Sequence, residues 1–231
     1  MLQFDDLLIA RGSFTLTADF SLPEGARCAL LGPSGAGKSS LLGAVAGFVA
    51  PVRGRVLWQG SDITPLAPAK RPLSIIFQDH NLFAHLSVFQ NVALGVSPGL
   101  RLSQDDRARV EETLARVGLA GFGPRLPGTL SGGQQGRVAL ARMLLRARPM
   151  LLLDEAFAAL GPAQRAEMLD LVAELLDATG ATLLMVSHNP TDALRLCPLT
   201  VAVGGGHALP PRPTGDVLRD PPPELAAYLG Q

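Results

Sequence analysis

The chain has 231 residues, 47% of them hydrophobic and 17% charged, which is enough for a sizeable buried core and excludes global disorder. Its 20 basic and 20 acidic side chains cancel, so binding nucleic acid by bulk electrostatics is not expected. Two buried-type residues, Cys28 and Cys197, are the only cysteines, which points to a reducing compartment without a disulfide framework.

The opening "MLQFDDLLIARG" carries acids where a secretory signal needs positive charge. Next, "SFTLTADFSL" alternates, with Phe14, Leu16, Ala18, Phe20 and Leu22 on one face and polar residues on the other. That period of two predicts a half-buried antiparallel strand. "RCALLG" (27–32) is a short continuous apolar run, as expected of a parallel strand covered on both faces. "LSIIFQ" (73–78), "MLLLDE" (150–155), "ATLLMVSH" (181–188) and "LTVAVG" (199–204) have the same character, whereas "GRVLWQGSDI" (54–63) reads as another antiparallel strand.

Helical patterns separate these strands: "SSLLGAVAGF", "DDRARVEETLARVG" and "AQRAEMLDLVAELLDATG". In the last, Met168, Leu169, Val172, Leu175 and Leu176 fall on one stripe, and Gly180 is the expected stop. Alternating strands and helices predict an α/β fold. The longest apolar run, "LLGAVAGFVAPV", is too short to span a bilayer. The Pro/Gly-rich tail from Gly204 onward reads as turns and short pieces.

"GPSGAGKS" (Gly32, Pro33, Ser34, Gly35, Ala36, Gly37, Lys38, Ser39) follows an apolar strand and precedes a helix. It matches the phosphate-loop pattern, in which backbone N–H groups and a helix N-terminus surround phosphate oxygens. Lys38, one of two lysines beside Lys70, would reach the β- and γ-phosphates, and the Ser39 hydroxyl would ligate Mg²⁺. Asp154 emerges at the carboxyl end of "MLLLDE", where ligands sit in open α/β sheets. It is the candidate for the Mg²⁺ shell, and adjacent Glu155 is the candidate general base for water.

A second glycine motif, "LSGGQ" (130–134), opens another helical pattern with Val138, Leu140, Ala141, Leu144 and Leu145 available for packing. Ser131 is a good N-cap. A sharper reading is that Ser131, Gly132, Gly133 and Gln134 bare a helix N-terminus to an anion, such as the nucleotide of another subunit.

With these motifs in order, the sequence resembles the ABC ATPases, the nucleotide-binding subunits of ATP-driven transporters. "GPSGAGKSS", extending to Ser40, resembles their Walker A motif, "LSGGQ" their signature and "MLLLDE" their Walker B. Gln78 in "IIFQDHNLF" is similar to their Q-loop glutamine and His188 in "MVSHNPTDA" to their switch histidine. The resemblance runs from about residue 2 to about 225.

It implies a single ABC ATPase domain over 1–231: a P-loop NTPase core of mainly parallel sheet with an N-terminal antiparallel β subdomain (1–78 and 150–231), and an α-helical signature subdomain (about 79–149). It implies ATP and Mg²⁺ as cofactors, with Gln78 joining Ser39 and Asp154 at the metal and His188 contacting the γ-phosphate. It also implies a head-to-tail homodimer at the cytoplasmic face of the inner membrane, held there through permease subunits, with a periplasmic binding protein as an indirect partner and no nucleic acid.

Within the family, "NLFAHLSV…NVALG…PGLRL" is most similar to the ATP-binding subunits of bacterial thiamine importers. Another small solute or ion as cargo, or a weakly hydrolysing ATP-dependent dimerisation switch, stays open at this point. The Phe-rich stretch after Gln78 reads mostly as the core of a helical lobe, with an exposed subset suited to a permease. His80 and His85 lack metal-ligand company and read as loop or docking residues. Four positions depart from the family pattern: Arg11 near the expected adenine-stacking aromatic, Gly136 after the signature, Ala156 where proline is common, and Gly161 in place of an aspartate. Phe14 is the other candidate for the base.

Overall fold

A computed structural model describes residues 1–230. In chain order its elements begin with β1 (Leu2–Arg11), β2 (Phe14–Leu22), β3 (Arg27–Leu31), α1 (Lys38–Ala46), β4 (Arg53–Trp58) and β5 (Ser61–Asp62). There follow β6 (Leu73–Ile76), α2 (Val88–Ala93), α3 (Gln104–Arg116), α4 (Gly132–Arg146), β7 (Met150–Asp154) and α5 (Pro162–Thr179). The last are β8 (Thr182–Val186), α6 (Pro190–Leu196), β9 (Leu199–Gly204), β10 (His207–Ala208), β11 (Arg212–Pro213), α7 (Thr214–Arg219) and α8 (Pro223–Leu229). The fold is α/β, as the alternation predicts. No helix among the described residues is long and apolar enough to cross a membrane.

The described residues pack as two units, the first formed by residues 1–73, 149–154 and 180–230. Its strands run in the order β5-β4-β1-β2-β10-β9-β3-β8-β7, with β11 on β9. The β9-β3-β8-β7 portion is parallel. These are the continuous apolar runs of the sequence, and Leu30, Leu152, Leu184 and Val201 are all fully buried, as strands covered on both faces require.

The β5-β4-β1-β2 portion is antiparallel. β1 is the strand that the alternating pattern conceals. Leu2 and Phe4 are buried, as are Leu7 and Ile9, so the apolar phase slips by one residue. A register shift between Phe4 and Leu7, with Asp6 at φ 45°, takes up the extra residue. A bulge of this kind returns the next side chains to the core face. The segment 54–63, expected as one strand, is a hairpin instead: β4 and β5 pair across Gln59-Gly60, both at positive φ. That is the geometry of a two-residue turn matched to strand twist.

The second unit comprises residues 74–148 and 155–179. Its core joins Val88 and Val92 of α2, Val110 and Leu114 of α3, and Val138 and Ala141 of α4, all fully buried. Three of its helices start on the same device. Ser87, Ser103 and Ser131 each accept from the backbone N–H three residues on, while Gln90, Asp106 and Gln134 return a bond to the serine N–H. On α5 the stripe Met168, Leu169, Val172, Leu175 and Leu176 is buried as the helical spacing predicts. Gly180 follows its end at φ 64°.

Candidate nucleotide site

In the first unit, β3 delivers the chain into Gly32–Gly37 and α1 begins at Lys38. A Cβ on Gly32 would stand 2.0 Å from the Val203 carbonyl oxygen, so the start of the loop admits no side chain. Gly37 caps α1 at φ 102° and supplies no side-chain cap hydrogen bond. The first turn holds no acid. The amides of this helix N-terminus are therefore not taken up by a side-chain cap, the condition for receiving an anion.

Lys38 is 4% exposed. Its Nζ donates to the Gly32 and Pro33 carbonyls, each at 2.8 Å, which folds the cation back along the loop. The neighbouring Ser39 Oγ donates to Asp154 Oδ1 at 2.9 Å. β7 is buried from Met150 to Leu153 and places Asp154 at its carboxyl end, beside the first turn of α1. One hydroxyl and one carboxylate oxygen in contact next to a phosphate loop suit a small hard cation. Mg²⁺ takes one or two protein oxygens and completes its shell with phosphates and waters. Among the described residues no cluster of three His, Cys, Asp or Glu could hold a metal by itself. Ser34, Gly35, Ala36 and Ser40 complete the loop and the helix start, with Ser34 and Gly35 exposed.

His188 lies in the same unit, exposed, between β8 and α6. Its neighbours are fixed by local bonds. Ser187 Oγ donates to Asp192 at 2.7 Å and accepts the Asn189 N–H at 3.0 Å, and the Asn189 side chain accepts the Thr191 N–H as the cap of α6.

In the second unit, Gln78 is exposed two residues after β6. Ser131 and Gln134 close a reciprocal box at the start of α4. The Gln134 N–H donates to Ser131 Oγ at 3.3 Å, and the Ser131 N–H donates to Gln134 Oε1 at 3.0 Å. Gly132 is exposed and Gly133 is buried. Glu155, next in the chain to Asp154, has φ 51°. A glutamate rarely adopts that conformation, which costs on the order of 1 kcal/mol or more.

The ABC transporter family model matches residues 16–158. The chain is 60% identical over its whole length to the thiamine import ATP-binding protein ThiQ of Cereibacter sphaeroides, covering all of that protein. It is 52% identical to ThiQ of Ruegeria sp., again over both full lengths, and 56% identical to ThiQ of Rhizobium meliloti over 79% of this chain and 76% of that one. The chain belongs to the ABC transporter family. It is an ABC-type ATPase, and its phosphate loop lies inside the matched region.

Four features of this ABC protein were not legible from its motifs. Arg165, in the first turn of α5, donates to the carbonyls of Phe157 (3.2 Å), Ala158 (2.8 Å) and Leu160 (3.4 Å). The turn after Glu155 is thus gripped by a guanidinium, and Ala156 in the place of proline does not leave it loose. Gln135 Nε2 donates to the Pro127 and Leu130 carbonyls and so holds the approach to the signature. Arg142 on α4 donates to the carbonyls of His80 and Asn81, pinning the loop that follows Gln78. Arg71, 2% exposed, bonds the Ala44 and Val45 carbonyls at the end of α1 together with Leu66 and Thr64. None of these contacts leaves a local sequence signal, because each joins a long side chain to backbone of no particular sequence.

The departures also find places. Arg11 is exposed at the end of β1, whereas the Phe14 ring stands against the loop: a Cβ on Gly37 would fall 2.5 Å from it. Gly136 faces His80 and Met168, both within 3.5 Å of a Cβ built there. Alanine would just fit, and a longer side chain would have to displace the ring. His80 is accordingly not a surface residue. It is 6% exposed, and burial pushes its imidazole below the ordinary histidine range, against smaller opposing effects of Asp79 and the Gly132 carbonyl. His85 is exposed and meets Phe83 edge-on. At Gly161 nothing lies within 4 Å of a Cβ, so packing gives no reason for the glycine.

Proposed function

We propose that the chain hydrolyses ATP to drive uptake of thiamine through a membrane permease, as a homodimer at the cytoplasmic face of the cell membrane. The cargo follows from the thiamine importers that its relatives serve by name, and a permease partner follows from membership of the transporter family. A periplasmic binding protein would deliver the cargo to that permease. The observation that carries the catalytic part is the Ser39–Asp154 contact at 2.9 Å beside a buried Lys38 and a helix N-terminus without a side-chain cap.

In this reading Gly32 to Ser40 wrap the β- and γ-phosphates, with Lys38 leaving its loop carbonyls for phosphate oxygens. Ser39, Asp154 and Gln78 would hold Mg²⁺, which when bound would screen the charge of the β- and γ-phosphates. Glu155 takes a proton from a water whose oxygen attacks the γ-phosphorus. The bond from that phosphorus to the β–γ bridging oxygen breaks, ADP leaves with the electron pair, and inorganic phosphate forms. His188 donates to the γ-phosphate. Ser131, Gly132, Gly133 and Gln134 face the nucleotide of the second copy. No basic surface for nucleic acid is part of this reading, in line with the balanced charge.

The test is phosphate release by the purified protein and by Glu155→Gln, together with thiamine uptake in cells lacking the endogenous ATPase. Loss of turnover in Glu155→Gln with nucleotide binding retained supports hydrolysis at this carboxylate. Equal rates in the two proteins would make the chain an ATP-dependent dimerisation switch. Uptake of a different solute would keep the ATPase and overturn the cargo.

A further inference from the structure

The chain contains nine phenylalanines and a single tyrosine, Tyr228, near the end of α8. The Tyr228 hydroxyl donates to the backbone carbonyl of His188, 40 residues earlier, at 2.5 Å. A phenylalanine would fill the same space, so the hydroxyl is the part of this residue that packing alone does not require.

The remainder of the His188 loop shows why that bond matters. The flanking polar groups are fixed from within the loop or from α6: Ser187 by Asp192, the Asn189 N–H by Ser187, and the Asn189 side chain by the Thr191 N–H. The carbonyl of His188 itself is reached from a different element. α8 is seated firmly enough to act as that support. Leu225 is fully buried, and Glu224 lies so close to the end of β9 that a Cβ on Gly204 would stand 2.8 Å from both its Cβ and its carbonyl oxygen. The helix starts at Pro223 and is stopped by Gly230 at φ 76°, which leaves Tyr228 on its last turn. A hydrogen bond to the carbonyl of a residue fixes the peptide plane that follows its Cα, and so limits the directions its side chain can take.

We propose that Tyr228 is a positioning residue for His188: the C-terminal helix, through one hydroxyl, sets the orientation of the switch histidine for the γ-phosphate. This rests on the proposed role of His188 in ATP hydrolysis. Tyr228 touches no nucleotide and acts on His188 through its backbone carbonyl.

Steady-state ATP turnover is measured as a function of ATP for the full chain, for Tyr228→Phe and for His188→Ala, with the thermal melting temperature of each. Tyr228→Phe is expected to lower kcat about fivefold, the kinetic equivalent of one hydrogen bond, with KM for ATP and the melting temperature unchanged. That split separates positioning from support of the fold, because a loosened C-terminal helix would lower the melting temperature. Wild-type kcat in Tyr228→Phe, or a fall in kcat matched by a fall in melting temperature, overturns the proposal. Wild-type turnover in His188→Ala overturns instead the role of His188 on which it rests. A large loss in His188→Ala beside no loss in Tyr228→Phe leaves that role standing and removes only the positioning.

Discussion

Two glycine-rich helix starts, one in each packing unit, look alike in sequence and differ in what their backbone amides are doing. At α1 the cap is Gly37 in a left-handed conformation, which gives no side-chain cap hydrogen bond, and Lys38 folds over the loop carbonyls. At α4 the cap is Ser131, and its hydroxyl already accepts the Gln134 N–H within a closed reciprocal box. The first start has no side-chain cap, as the proposed phosphate site requires. The second is satisfied from within, so a phosphate there must share or displace a cap worth about 1 kcal/mol. Glycines before a helix thus leave its amides open to an anion without cost only where no side-chain cap has claimed them.

Lys38→Ala should break the comparison most strongly. It removes charge-assisted bonds to phosphate worth about 1.5–3 kcal/mol and should weaken ATP binding roughly 10- to 100-fold by calorimetric titration. Ser131→Ala at the other start should leave ATP affinity of the isolated subunit unchanged. It should lower stability to urea by about 1 kcal/mol through loss of the cap and reduce turnover only under conditions in which the subunits associate. Equal losses of ATP affinity in the two variants would erase the distinction.

Gly161→Asp sharpens the same contrast at α5. The Gly161 carbonyl accepts the Arg165 N–H at 2.9 Å, which makes it the residue preceding the helix, and a Cβ there meets nothing. An aspartate cap should stabilise the protein by only a few tenths of a kcal/mol, with ATP binding nearly intact and turnover altered. An unchanged rate, free and with the permease, would show the glycine to be neutral.

The smallest effect belongs to the cysteines. Burial pushes the Cys28 thiol up to about 12 and the Cys197 thiol well above its ordinary value. Neither should react with a thiol reagent at pH 8 until the protein is unfolded, since the thiolate is the reactive form. A folded pKa above the unfolded one means that stability is complete below about pH 9 and falls as pH rises toward 12 for Cys28. Labelling of native protein at pH 8 would contradict this burial.

Much of the architecture could be read directly. Four of the five apolar runs became the parallel strands β3, β7, β8 and β9, the stripe on α5 is buried residue for residue, and the Ser131 cap stands where helix-start chemistry puts it. β1 escaped because its bulge shifts the alternation by one residue, and the hairpin after Arg53 escaped because the Gln59-Gly60 turn lies inside an apparently continuous pattern. His80 was legible as a loop residue, but its burial was not, since burial depends on Gly136 and Met168 from distant parts of the chain.

Spacing along the chain was enough to predict the α/β class, the G-x-x-x-x-G-K-S pattern and the strand that ends in Asp154, because backbone geometry enforces those short-range periods, and the order of the motifs carried the resemblance to the ABC ATPases. Tertiary structure alone decided that Ser39 meets Asp154, that Arg165 grips the turn after Glu155, and that Tyr228 holds the carbonyl of His188. The last two join a side chain to a backbone carbonyl, which demands no particular residue there, so no local pattern records them; Ser39 and Asp154 were each legible as Mg²⁺ candidates, and only their direct bond was not.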